Sequence, residues 1–433
     1  MSAAAASEAT TLGRRWYVLI VLTLVYALSI ADRYVMSTLI EPIKADLHLS
    51  DTAIGFLTGV ALALFYVTAG LPLAALADRT NRRTMIACAL GVWSVMTACC
   101  GAAQNFSQLL LARIGVGVGE AGGTPPSTSL VSDYFPWRRR AFALSVYSVG
   151  ASLGSMLGSS AGYASDAWGW RAAFYLLGIP GILFALVLAA TVREPQRGQL
   201  DAATPLTRAS LVDTLRFLRT QPALVHTLAG ASVYTLWAWG LMWWTPSYLV
   251  RSHRMALGDA GGALSLMHGI GGTAVLLLTM VIMGRLAKFD ARAVPWFVAA
   301  VTAVATVPSI IAYTAASTHV ALTALWIFIP LSYAPFGPTF ALIQNLVPSS
   351  MRAQAVALML FFSNFANLVI APQVVGFASD QLSARYGVES LRHALMPLAW
   401  VGAWAALHYL WVAKHLTAGL ARAGNPVVGA ALR

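Results

Sequence analysis

The chain has 433 residues, of which 58% are hydrophobic and only 10% charged, whereas soluble domains carry roughly 25% charge. A soluble fold has no place for that much apolar surface, which excludes a soluble enzyme and a disordered scaffold. The net charge of +12 comes in short basic clusters between apolar runs, a distribution that suits membrane orientation and not a nucleic-acid-binding face.

A helix needs ~20 apolar residues to cross ~30 Å of hydrocarbon. In chain order the sequence offers twelve such spans, at about 16–40, 51–77, 83–104, 107–132, 139–165, 171–192, 223–250, 259–283, 294–316, 319–347, 353–379 and 391–413. The start, MSAAAASEATTLGRR, has no apolar core followed by a cleavage site and reads as a short cytoplasmic tail. Cys88, Cys99 and Cys100 share one apolar run, which gives neither a disulfide framework nor a zinc spacing. The exception among short connections is 193–222. Its second part, Arg208–Arg219, sets Leu211, Leu215 and Leu218 on one face and suits a helix lying on the membrane surface.

With the N-terminus inside, 20 of the 28 Lys and Arg residues fall on the cytoplasmic side, six fall opposite, and two lie within spans. This bias places both termini in the cytoplasm. An internal repeat organises the spans. The segment 126–143 matches 338–355 at an offset of 212, with Pro126, Pro136, Arg140, Ala141 and Ala143 answered by Pro338, Pro348, Arg352, Ala353 and Ala355. GYASD (162–166) is echoed by GFASD (376–380), and the loop 75–83 weakly by 285–293. The expected fold is therefore an all-α membrane protein, with twelve transmembrane helices in two pseudo-symmetric six-helix bundles. These are residues 1–192 and 223–413, joined by a cytoplasmic linker at 193–222 and followed by a tail at 414–433. Carriers built this way bind substrate near the midplane and rock one half on the other.

Ionisable groups inside spans cost at least ~2.5–3.5 kcal/mol each on insertion scales, so each points to function. Four occur, all in the first half: Asp32, Arg33, Arg113 and Glu120. At ~1.5 Å per residue, Asp32 and Arg113 come to similar depth. Glu120 lies ~10 Å further along nearly the same face of its helix as Arg113. Neighbours 32 and 33 differ by ~100°, so only one is expected to point squarely inward. Asp32 and Glu120 are the expected proton carriers. Arg113 is the expected counter-ion that an anionic headgroup takes over. Arg33 serves either, beside Arg113, as a second headgroup contact and counter-ion or as a brace of the extracellular gate. The competing reading is a neutral set of charges that only clamps helices together. Gly115 and Gly119 form a small-residue stripe, and Gly122, Gly123, Pro125 and Pro126 are expected to interrupt the helix beyond Glu120.

These residues carry a resemblance. The 6+6 pattern, the loop DRTNRR (78–83) and the Arg113-x-x-x-Gly117 element resemble the major facilitator superfamily. In that family's loop motif two glycines stand where this chain has Ala74 and Asn81. Asn tolerates a left-handed backbone, so the turn is expected to survive. ADRY (31–34), EPIKAD (41–46), GVGVGEAGGTPP (115–126), DYFP (133–136), WRAAF (170–174) and VREP (192–195) are similar to the bacterial branch of the Spinster-like lysolipid and sphingolipid transporters. Span 5 reads Gly150, Gly154, Gly158 without the Gly-Pro pair of drug antiporters. The resemblance implies a proton-coupled carrier of an amphipathic substrate, working by alternating access. It also implies a cytoplasmic gate latch at Asp78 and Arg82, to which Asp133 and Arg140 are added; the alternative for these charges is orientation alone. Lys288 stands where Asp78 has its counterpart, so the second copy of the loop does not repeat these contacts.

The second half has aromatic residues where the first has charge. Tyr234, Trp237, Phe336, Phe361 and Asn364 are expected either to pack or to line an apolar path for an acyl chain. His268, a lone histidine among glycines, is either structural or a proton relay. No enzyme, cofactor, metal or nucleic-acid partner is expected. The expected partners are an amphipathic or organic-anion substrate, protons and membrane lipids, in a monomer of the bacterial inner membrane. The rivals are a carrier of small organic anions, and a non-transporting receptor or lipid scramblase.

Overall fold

Apolar runs punctuated by Gly, Pro, Ser and Asn give helices throughout the residues described in the computed structural model: 12–60, 73, 76, 80–196, 210–286 and 290–424. No strand occurs among them. Among the described residues, eight helical runs are long and apolar enough to cross a membrane. The chain divides into two units, Met1–Thr204 with Met255–Gly269, and Pro205–Arg254 with Ile270–Arg433.

The first unit begins with α1 (Leu12–Thr38). The short α2 (Ile40–Leu47) stops at His48, which takes the left-handed conformation at φ 51°. Ser50 caps α3 (Asp51–Gly55) by accepting from the Ala53 amide at 3.1 Å, and Lys44 pairs with Asp51 at 2.6 Å across the turn. A π turn, Phe56–Val60, continues α3. Asn81 caps α4 (Arg82–Ala102) by accepting from the Thr84 amide at 3.0 Å. Its backbone is extended, at φ −72° and ψ 114°. The expected left-handed turn is therefore absent at Asn81, and its side chain instead satisfies a free helix-end donor.

Helix α5 (Phe106–Ala121) ends at Gly122–Gly123, and α6 (Thr124–Tyr134) restarts with Pro125 and Pro126 in its first turn, where a missing N–H costs nothing. The interruption expected at 122–126 is present. Then come α7 (Trp137–Ser159), α8 (Ala161–Trp168) and α9 (Trp170–Thr191). On α7, a Cβ at Gly150, Gly154 or Gly158 would meet the carbonyl oxygens of Thr23, Ala27 and Ala31 in turn. Glycine every fourth residue thus lets α1 and α7 touch backbone to backbone. The 255–269 segment holds α12 (Leu257–Leu266), whose Gly258 amide donates to Asp166 of α8 at 2.7 Å.

In the second unit, Ser210 caps α10 (Leu211–Arg219). On α10, Val212 and Leu215 are exposed, whereas Phe217 and Leu218 pack against the unit's core of Leu224, Ile343 and Leu416. Helix α11 (Pro222–His253) has 32 residues. After the π turn Met267–Gly272 come α13 (Thr273–Leu286), α14 (Ala293–Thr314), α15 (Thr318–Leu331) and α16 (Phe336–Asn345). Helix α17 (Arg352–Asn364) runs through a π turn, Phe365–Ile370, into α18 (Ala371–Tyr386), and α19 (Ser390–Ala399) and α20 (Val401–Arg422) close the chain. The repeat is visible in the irregularities as well. The π turns at 56–60 and 267–272, and the breaks at 122–123 and 332–335, stand about one repeat length apart.

Candidate functional site

The four intramembrane charges meet in the first unit as two unequal pairs. Asp32, on α1, is 1% exposed, and Arg113, on α5, is fully enclosed. Arg113 Nη1 approaches the Asp32 Oδ2 atom at only 3.5 Å and the Asp32 carbonyl at 3.4 Å. A charge-assisted N–H···O⁻ bond has a normal length of ~2.7–2.9 Å, so this contact is loose. Among the described residues Arg113 Nε and Nη2 have no hydrogen-bond partner, and the Cys100 side chain lies alongside the guanidinium. Arg33, by contrast, donates from Nε and Nη2 to Glu120 Oε2 at 2.9 and 2.7 Å, leaving Glu120 Oε1 without a partner among the described residues.

Arg33 is thus paired with Glu120. Both neighbours on α1 engage α5, although their Cα directions diverge. Depth reckoned along the helix axis placed Glu120 too far from Arg33, because the reckoning took no account of the long aliphatic stem that carries a guanidinium away from its backbone.

A third helix joins the pairs, and sequence reasoning missed it. Thr97 of α4 donates from Oγ1 to Asp32 Oδ1 at 2.6 Å and lies 2.9 Å from the Trp93 carbonyl. One turn away on α4 stands Trp93; the Gly119 Cβ position on α5 would fall 2.7 Å from its nitrogen, and that of Gly123, in the break after α5, 3.1 Å from its indole. Gly115 likewise packs on Met96. A single Thr in an apolar run gives no signal by itself; only the three-dimensional register of α1 against α4 reveals it.

The expected aromatic lining separates into two sets. Tyr234 and Trp237 are enclosed and do not line an open surface. The Tyr234 hydroxyl donates to the Ser332 carbonyl, freed by the break between α15 and α16. Trp237 Nε1 donates to Ser309 Oγ at 3.3 Å and to the Ala399 carbonyl at 3.2 Å. Both residues brace the second unit, as buried Tyr and Trp do once their polar ends find partners. Phe336 is half-buried against Phe340, with ring centroids 5.0 Å apart, and Asn364 is half-buried at the end of α17. Phe361 is 44% exposed and stacks on Phe365. His268, in the π turn after α12, is enclosed edge-on to Tyr34 at 5.0 Å.

Of the expected latch, Asp78 lies outside the described residues, as does Lys288 in the second copy of the loop. Arg82, 2% exposed, is held by Asp133 at 2.5 Å, Ser129 at 2.9 Å, Glu194 at 2.7 Å and the Pro195 carbonyl at 3.4 Å. The other Glu194 oxygen accepts from the Arg83 amide at 2.9 Å, in the first turn of α4. Arg140 Nε donates to the Ser132 and Phe135 carbonyls at 2.7 and 3.1 Å, covering the C-terminal end of α6. All of these partners belong to the first unit. Glu194 and Ser129 were not singled out in the sequence, although Glu194 stands in the VREP string.

The family model described as Major Facilitator Superfamily matches residues 22–371. The chain is similar to an MFS-type efflux pump of Mycolicibacterium smegmatis, 34% identical over 392 residues, 89% of each chain. It is also similar to protein spinster homolog 1 of Xenopus tropicalis, 27% identical over 89% of this chain and 78% of that one. Among solved structures it matches a bacterial homologue of the human lysosomal transporter Spinster, in an inward-facing, unoccupied conformation. There the TM-score is 0.80 and the identity 27%, over 94% of this chain and 99% of that one.

Proposed function

The chain belongs to the major facilitator superfamily, on its Spinster-like branch, and from that premise we propose that it is a proton-coupled carrier of an amphipathic anion of lysophospholipid or sphingolipid type. Membership makes it a multi-pass membrane transporter, not an enzyme, with twelve helices in two six-helix bundles. In our reading it sits as a monomer in the bacterial inner membrane with both termini in the cytoplasm, which the 20-to-6 distribution of basic residues supports. The halves 1–192 and 223–413 rock about the substrate.

The observation that carries the proposal is the contrast between the two pairs. Arg113 is buried, loosely held by Asp32, and keeps two nitrogens unpaired among the described residues. A guanidinium in that state suits bidentate capture of a phosphate or carboxylate. When Asp32 takes a proton, its hold on Arg113 weakens and the headgroup takes its place. When the headgroup leaves, Arg113 draws the proton off Asp32 again. Proton and substrate thus compete for one cation without touching each other. Glu120 is the second proton carrier, with Arg33 as its own counter-ion, and Phe336, Phe361 and Asn364 offer contacts to the tail. Arg82, Asp133 and Arg140, with Asp78, form the latch of the cytoplasmic gate.

Enclosure of Tyr234 and Trp237 removes two surfaces expected for an acyl chain, and so favours a second reading in which the substrate is a small organic anion. Mass spectrometry of the carrier purified in mild detergent separates the two. An anionic lysolipid that co-purifies with the native protein and is lost from Arg113→Gln supports the first reading. Its absence from both, with displacement of bound small anions by Arg113→Gln, supports the second.

A further inference from the structure

We infer that Thr97 is a positioning residue whose single hydroxyl proton turns between Asp32 and the Trp93 carbonyl as Asp32 gains or loses its proton. The inference rests on the reading of Asp32 as a proton carrier and adds the element that registers its state.

A threonine hydroxyl has one proton and two lone pairs. Two acceptors stand within hydrogen-bond distance of Thr97 Oγ1: Asp32 Oδ1 at 2.6 Å and the Trp93 carbonyl at 2.9 Å. The carbonyl only accepts. With Asp32 ionised, the hydroxyl points to the carboxylate, where the bond is charge-assisted; 2.6 Å falls in the range for O–H···O⁻. With a proton on Asp32 Oδ1, the direction reverses. Asp32 donates to Thr97 Oγ1, and the hydroxyl is released to the Trp93 carbonyl, making a chain of two bonds that polarise one another. No heavy atom has to move, because the same oxygen reaches both partners. The two arrangements are therefore discrete states of one rotor.

What the rotor touches gives it a consequence. The Trp93 turn of α4 packs on Gly119 of α5 and on Gly123 in the break beyond it, on either side of Glu120. The protonation state of Asp32 is in this way registered at the backbone against which the Glu120 segment rests. The charged and titratable groups facing Asp32 are Arg113 and Glu120 from α5, Cys100 from α4 through its contact with the shared Arg113, and Arg33 from its own helix. On the opposite side α7 meets α1 through Gly154 and Gly158, and His268 meets it through Tyr34.

The test is an infrared pH titration of the purified carrier, following the carboxylic-acid C=O band assigned to Asp32 by its loss in Asp32→Asn. Hydrogen bonds to charged groups exceed neutral ones by enough to move proton affinity by roughly tenfold. Thr97→Val therefore moves the midpoint of that band upward by about one pH unit and raises its frequency, while Thr97→Ser, which restores the hydroxyl, returns both to native values. A Thr97→Val midpoint and frequency equal to native, or a Thr97→Ser protein that behaves like Thr97→Val, overturns the inference and leaves the proton-carrier reading standing. A native band that does not titrate between pH 4 and 10 overturns both.

Discussion

Arg82 ties α4, α6 and the segment after α9 together. Its guanidinium holds two carboxylates, Asp133 and Glu194, whose side chains are 9% and 20% exposed, and also the Ser129 hydroxyl. Arg82→Gln leaves both acids without their cation. Removing one partner of a buried pair costs ~3–5 kcal/mol; because Glu194 has partial access to solvent, we take the lower end, about 3 kcal/mol. For a unit of this size that corresponds to a fall in Tm of roughly 6–12 °C. Thermal unfolding in detergent, followed by tryptophan fluorescence, measures it. In an Asp133→Asn, Glu194→Gln background the same Arg82→Gln change should cost much less, since no stranded charge remains. If Arg82→Gln melts within 2 °C of native, or costs as much in the neutralised background, the network does not brace α4, α6 and the segment after α9 as described.

Two further outcomes follow from packing. Gly154→Leu drives a side chain into the Ala27 carbonyl and Ile30 of α1, and should prevent recovery of monodisperse protein, whereas Gly284→Ala, with open space at its Cβ, should leave yield and Tm unchanged. Trp237→Phe removes the bonds to Ser309 and Ala399 and should lower stability by about 1–3 kcal/mol with little change in substrate affinity. Phe361→Ala should do the reverse, weakening substrate binding in a flux assay while leaving the melting curve in place.

The sequence shows much of the scaffold because its signals are periodic or covalent. Apolar length marks the spans, Gly150, Gly154 and Gly158 mark a close helix approach, and Gly122 through Pro126 mark a break. It also carries the acids and arginines of the site, since charge within an apolar run stands out. Pairing is a different matter. Arg33 reaches Glu120 because of side-chain length, which a count of residues along an axis omits. Thr97 and Ser129 are small polar residues of a kind that commonly bonds its own helix, so nothing distinguishes the two that bond elsewhere. Tyr234 and Trp237 look like ligand contacts in a list of aromatics, and only the freed Ser332 carbonyl and the Ala399 carbonyl reveal what their polar ends serve.

Competition for Arg113 is the claim on which the mechanism stands, and uptake into proteoliposomes under an imposed pH gradient tests it, using whichever ligand co-purifies with the native carrier. Native accumulation should follow the size of the gradient. Asp32→Asn and Glu120→Gln should fold and exchange ligand yet no longer respond to the gradient. Gradient-driven accumulation at the native level in both variants would contradict it.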